Sequence, residues 1–158
     1  MTSDSVSPTP YVLQPDEGEH LLIGARKAPL TFKANPEMGS TTFVSMIEVI
    51  VPGDQVPVHF HQHEDEILFI HAGRAIITLG EDEIACEAGA FVHVPSGTWH
   101  GVRNAFDEDV VMFATYTPTG IQDYFRGLGA PAARDPDPLP DSQLQPPTKK
   151  CGAGCGAL

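Results

Sequence analysis

From Thr41 to Val51 the chain reads TTFVSMIEVIV, a run of β-branched and aromatic residues in which Phe43, Ser45, Ile47 and Val49 share one face and Val44, Met46, Glu48 and Ile50 the other. This is the clearest strand. Further strands are expected over 20–32 (one or two), 56–61, 66–71, 74–79, 83–87, 91–94, 99–103 and 110–116, separated by turn signals: Asn35 to Ser40 (NPEMGS), Ala72-Gly73, Gly80 to Asp82 and Pro95-Ser96-Gly97. Short strands divided by turns roughly every eight to twelve residues predict an all-β sandwich or small antiparallel barrel. One segment breaks the pattern. Residues IQDYFRGL carry Ile121, Tyr124, Phe125 and Leu128 at helical spacing with Gly129 as a stop, which predicts one short C-terminal helix against the barrel.

The ends carry no periodicity. Residues 1–10 are rich in Ser, Thr and Pro and are expected to be disordered; residues 11–129 hold the barrel and helix, and residues 130–158 form a proline-rich extended tail. At 158 residues the chain reads as one domain, and 15 Gly with 15 Pro suit a turn-rich β body. A net charge of −12 disfavours nucleic acid and anionic membranes as partners, leaving small neutral or metal-chelating ligands. The sequence has no early apolar run of signal-peptide type and no stretch near the roughly 20 apolar residues that span a bilayer, so a cytoplasmic location is expected. Three cysteines argue against a disulfide framework. Cys151 and Cys155 form a C-x3-C pair without a complete ligand set, and Cys86 lies in a strand-like run as a small core or barrel residue.

Chemistry concentrates between Gly53 and Asn104. His59 and His61 stand two apart in a strand-like run, so both imidazoles point the same way; Gln62 to Asp65 make a polar corner, after which Glu66 can face inward with Leu68 and Ile70. His100 follows the Pro-Ser-Gly turn. Three imidazoles and one carboxylate suit a divalent transition metal, Fe, Mn, Ni, Cu, Co or Zn, better than Ca or Mg. Four protein ligands leave positions open, as in catalytic sites. The bland reading keeps the cluster as polar scaffolding; a carboxylate buried among imidazoles would then lack a balancing cation or fixed protons.

The two stretches fit G-x5-H-x-H-x4-E-x6-G at Gly53, His59, His61, Glu66 and Gly73, and G-x5-P-x-G-x2-H-x3-N at Gly89, Pro95, Gly97, His100 and Asn104. They resemble the two motifs of the cupin superfamily, and the 15 residues between Gly73 and Gly89 resemble the compact bacterial monocupins. The resemblance implies a double-stranded β-helix (jelly roll) with His59, His61, Glu66 and His100 as metal ligands, and often a homodimer through N-terminal strands. The Glu64-Asp65-Glu66 run and the Tyr124-Phe125 helix look like the quercetin-dioxygenase-like subgroup.

Other residues are weighed beside these. His63 shares parity with His59 and His61 and is a candidate ligand or base; as catalytic residues we take Glu66 and His63. His93 alternates with Val92 and Val94 and faces either the cavity or solvent, whereas His20 and His71 belong on the surface. Glu64 and Asp65 make a solvated corner or orient a ligand histidine. Trp99, Phe91, Phe43, Met112 and Phe69 are assigned mostly to the core, and Arg74 and Arg103 to the exterior or to a substrate carboxylate. Three functions follow: a dioxygenase of the flavonol-cleaving type, with Glu66 as base; a non-redox cyclase, isomerase or dehydratase using the ion as Lewis acid; and a small-molecule binder without catalysis.

Overall fold

The computed structural model describes residues 9–129. The expectations for residues 1–8 and for the proline-rich tail, with Cys151 and Cys155, lie outside the described residues. Among the described residues there are ten strands: β1 (Glu19–Ile23), β2 (Ala28–Ala34), β3 (Val44–Ile50), β4 (Gln55–His59), β5 (Asp65–Ala72), β6 (Arg74–Leu79), β7 (Asp82–Glu87), β8 (Phe91–Val94), β9 (His100–Arg103) and β10 (Val110–Thr117). A 3₁₀ turn at Pro36–Met38, capped by the Asn35 side chain, joins β2 to β3. The helix α1 spans Ile121–Leu128, the segment its periodicity marks.

All strand pairings are antiparallel. One sheet runs β1-β2-β3-β10-β5-β8 and the other β4-β9-β6-β7. From β3 onward the chain passes back and forth between two facing sheets, except that β6 and β7 share one, which is the double-stranded β-helix. Inward positions fill the space between the sheets: Leu30 and Phe32 of β2, Val44 and Met46 of β3, Leu68 and Ile70 of β5, Ala75 and Ile77 of β6, and Val110 and Met112 of β10 are fully buried. Two carboxylates interrupt this set: Glu48, inward on β3 beside Met46 and Ile50, and Glu66, inward on β5 beside Leu68.

Parity also corrects the aromatic assignment. Phe69 lies opposite Phe91 on one side and Phe113 on the other, and all three sit on the outer face of the larger sheet. Phe43, just before β3, is likewise exposed; of the expected core set Met112 is buried, and Trp99 is half-buried against the Phe60 ring. Cys86 of β7 is half-buried at the margin of the smaller sheet.

The helix sits over one end of the barrel. Phe125 enters it, its ring 6.4 Å from Phe32 and 6.0 Å from Tyr116. Arg126 pins the outside through two 2.8 Å bonds to the Glu19 carboxylate and one of 3.0 Å to Glu37. None of the helices among the described residues is long and apolar enough to cross a membrane.

Two motif glycines answer to different constraints. Gly73 has φ +79°, and a Cβ there would collide with the Asp109 carbonyl oxygen; Gly97 has φ +77°, but outside its chain neighbours nothing stands within 4 Å. Gly97→Ala should therefore cost only the left-handed backbone penalty, about 1–2 kcal/mol. In Gly73→Ala the β10 approach must also move, which adds about 2 kcal/mol or more. Equilibrium denaturant unfolding of the two variants should separate them in that order.

Candidate metal centre

The two sheets contribute opposite sides of one cluster. His59 ends β4 and pairs across the smaller sheet with His100, the first residue of β9. Glu66 comes from β5 of the larger sheet, between Val94 and Tyr116. The expected strand through His61 stops at His59, because Phe60 turns outward onto Trp99, their ring centres 4.9 Å apart. His61 is therefore delivered by the connection between the sheets, yet its Nε2 still lies 3.2 Å from that of His59.

Backbone bonds lock this connection to the second motif. The Gly97 N–H donates to the His61 carbonyl at 2.7 Å, and the Ser96 N–H to Asp65 Oδ1 at 2.8 Å. Asp65 thus holds the turn that presents His100. Asn104 is a staple as well: its buried amide donates to the Ile50 and Glu108 carbonyls, and its backbone bonds Gly53 and Asp54. Several motif positions hold the frame, and only four carry donors.

Those four, His59, His61, Glu66 and His100, are buried, with ligand atoms all within 4.8 Å of one another. His59 Nδ1 is 2.7 Å from the Pro57 carbonyl and His100 Nδ1 2.8 Å from that of Thr98. A carbonyl only accepts, so each Nδ1 carries a proton and each Nε2 faces the centre. Glu66 Oε2 is 2.6 Å from His100 Nε2 and 3.3 Å from His61 Nε2. Such a centre needs positive charge, from protons or from a cation. Three imidazole nitrogens and one carboxylate oxygen, with the His59 and His100 tautomers preset, make a donor set that fits a divalent transition metal.

The titrations follow from this packing. Burial, reinforced by the neighbouring His100 and His61, pushes His59 down to about 4, so it stays neutral. Burial alone would raise Glu66, but hydrogen bonds from His100 and His61 outweigh it and hold the carboxyl well below the usual range. Burial likewise opposes charge on His100, and its bond to Glu66 reverses that and raises it. Tyr116 is driven well above its ordinary value by burial and then by the Glu66 charge.

The cluster opens on a cavity of about 280 Å³, near the lower end of small-molecule pockets at roughly 300–1,000 Å³. Its walls are mainly apolar, and Tyr124, Phe125 and Leu128 of α1 close one side. His63 is exposed in the bend after His61, outside the four-residue cluster and the cavity lining. Strand parity fails for it because the chain has already left the strand. His93 is exposed opposite Ile67, and His20 and His71 are on the surface. Arg74 and Arg103 pair outward with Glu108 and Glu83 and do not line the cavity.

Sequence reasoning missed Glu48, which lines the cavity although it is 6% exposed. Its signal was an acidic residue in phase with Val44, Met46 and Ile50. Burial, with Glu66 and Asp54 adding to it, pushes its carboxyl up to about 8.

Residues 46–116 match the family model described as a cupin domain. Over 123 residues, 77% of this chain and 35% of the relative, the sequence is 28% identical to the quercetin 2,3-dioxygenase of Bacillus subtilis. Over 81 residues, 51% of this chain and 53% of the relative, it is 24% identical to polyketide synthase CurC of Streptomyces cyaneus. The chain spans between about a third and two-thirds of the length of curated relatives it matches. Among solved structures, KdgF from a Halomonas species superposes with a TM-score of 0.64 at 15% identity, over 73% of this chain and 99% of that one.

Glu48 gives the centre a pH signature. The folded state keeps its proton to about pH 8, whereas the unfolded chain loses it near 4.5, so this contribution is full below 4.5 and is lost as pH rises toward 8. At about 1.4 kcal/mol per unit the loss reaches a few kcal/mol. In metal-stripped protein, Glu48→Gln should flatten that part of the stability curve, measured by denaturant unfolding from pH 4.5 to 8.

Proposed function

Residues 46–116 match a cupin domain, and on that footing we propose that this chain is a metal-dependent cupin enzyme acting on a small organic molecule, of the quercetinase-like dioxygenase type. One observation carries the reading: four inward-facing donors, two of them imidazoles with preset tautomers, stand at the wall of an apolar cavity large enough for a substrate. His59, His61, Glu66 and His100 would hold the ion, Fe, Mn, Ni, Cu, Co or Zn. A bound ion of this kind supplies Lewis acidity and, where it is redox-active, an electron path to oxygen.

The protein's own residues do the rest. Neutral His59 offers its lone pair without first losing a proton. Glu66 stays ionised and is the group placed to take a proton from a substrate hydroxyl beside the cluster. Apolar walls and the helix surround the cavity beside the cluster. A homodimer through the N-terminal strands belongs to the same proposal; it is supported by β1 standing at the end of its sheet, with one edge unpaired among the described residues. So does a cytoplasmic setting. The likeness to polyketide synthase CurC, together with a protonatable carboxyl at Glu48, favours a non-redox cyclase, isomerase or dehydratase as the second reading.

Metal analysis of protein purified without chelator or tag-column metal should find close to one transition-metal ion per chain, and His59→Ala should lower occupancy more than roughly tenfold. An oxygen electrode then divides the readings. Uptake with a flavonol supports the dioxygenase; turnover of a 1,3-diketone without uptake supports the non-redox enzyme. Metal-free protein whose ligand binding survives His59→Ala sinks both.

A further inference from the structure

Glu48 has no part in the cluster. Met112, opposite Glu48 on β10, is four residues from Tyr116, which stands opposite Glu66. That offset separates the two backbones by about 13 Å along the sheet. Both side chains face inward and both line the one cavity. The rest of the lining is mainly apolar, including Ile50, Val56, Val102 and Met112.

The Glu48 carboxyl makes no side-chain hydrogen bond among the described residues, and it receives no cationic partner there. A structural polar group inside a barrel would be bonded to backbone or paired, as the Asn104 amide is to the Ile50 and Glu108 carbonyls. A second polar atom is in the same condition: the Tyr124 hydroxyl, on a residue lining the same cavity, is buried without a hydrogen-bond partner among the described residues. Apolar strands do not retain such groups for packing, since a leucine or phenylalanine would fill the space without stranding a polar atom.

We propose that Glu48 is a ligand-contacting, specificity-determining residue, which hydrogen-bonds a neutral oxygen, a phenolic or enolic hydroxyl or a carbonyl, on the end of the substrate remote from the four-residue cluster. This rests on the reading of the cavity as a substrate site. The ligand class becomes narrower as a result: a two-headed molecule with a chelating oxygen group at His59, His61, Glu66 and His100, an apolar body, and a second oxygen function at Glu48. Burial first, and then the acidic neighbours Glu66 and Asp54, favour the neutral acid. In that form it both donates and accepts, and it accommodates either a hydroxyl or a carbonyl.

Phenol and toluene, nearly equal in size, test the contact without prejudging the substrate. Binding is read by ligand-observed NMR on the full-length protein, metal-loaded and chelator-stripped. The stripped protein should prefer phenol by about tenfold, the scale of one hydrogen bond in an apolar site. Glu48→Met should bring the ratio to about one, and Glu48→Gln should keep most of it. No preference in the wild type overturns the proposal, as does a preference that survives Glu48→Met or that vanishes when metal is removed. Tighter capture of benzylamine than of phenol overturns the neutral-oxygen assignment. The parent reading has its own signal: the absorption shift of 3-hydroxyflavone on chelation should depend on His59 and not on Glu48. Its loss, with the phenol preference intact, would remove the metal reading and leave the Glu48 contact standing.

Discussion

The structure depends on how the Glu66 charge is held. The carboxylate comes from the larger sheet, while two of its three imidazole neighbours come from the smaller one and the third from the crossing between them. Burial works against the charge, and the hydrogen bonds from His100 and His61 are what keep it. The cluster is therefore also a cross-link between sheets. Removing one partner would leave charge unbalanced in the barrel interior, whatever the reaction.

This explains why so many motif positions carry no chemistry. Four donors must be brought together from three chain segments, and small errors in any would open the cluster. Gly97 ties its turn to the His61 carbonyl, Asp65 holds the Ser96 amide, and Asn104 joins the β3–β4 corner to the loop before β10. Gly73 admits the Asp109 carbonyl where a side chain would block it. These contacts act on geometry, and fixed spacing is their trace in the sequence.

The same point sets what could be read beforehand. The strands, the helix and the four donors were legible because period and spacing encode them directly. Facing was legible only as parity: Phe69 alternates with Leu68 and Ile70, and Phe91 with Val92, but which side met water depended on which strands became partners. His63 shows the limit of parity, since it holds only while the chain stays extended, and the strand ends at His59. The role of α1 as a cavity wall was invisible for another reason: it needs the end of the barrel to exist first.

Glu48 and Glu66 then form an instructive pair. Both are glutamates buried at inward positions of the same sheet, and burial raises both. Glu66 has imidazoles to donate to it and remains a charged group; Glu48 has only acidic neighbours bearing on its charge, Glu66 chief among them, and keeps its proton to about pH 8. One cavity thus holds an ionised carboxylate at one end and a protonated one at the other, set apart by environment alone. The charge on the first glutamate helps suppress ionisation of the second.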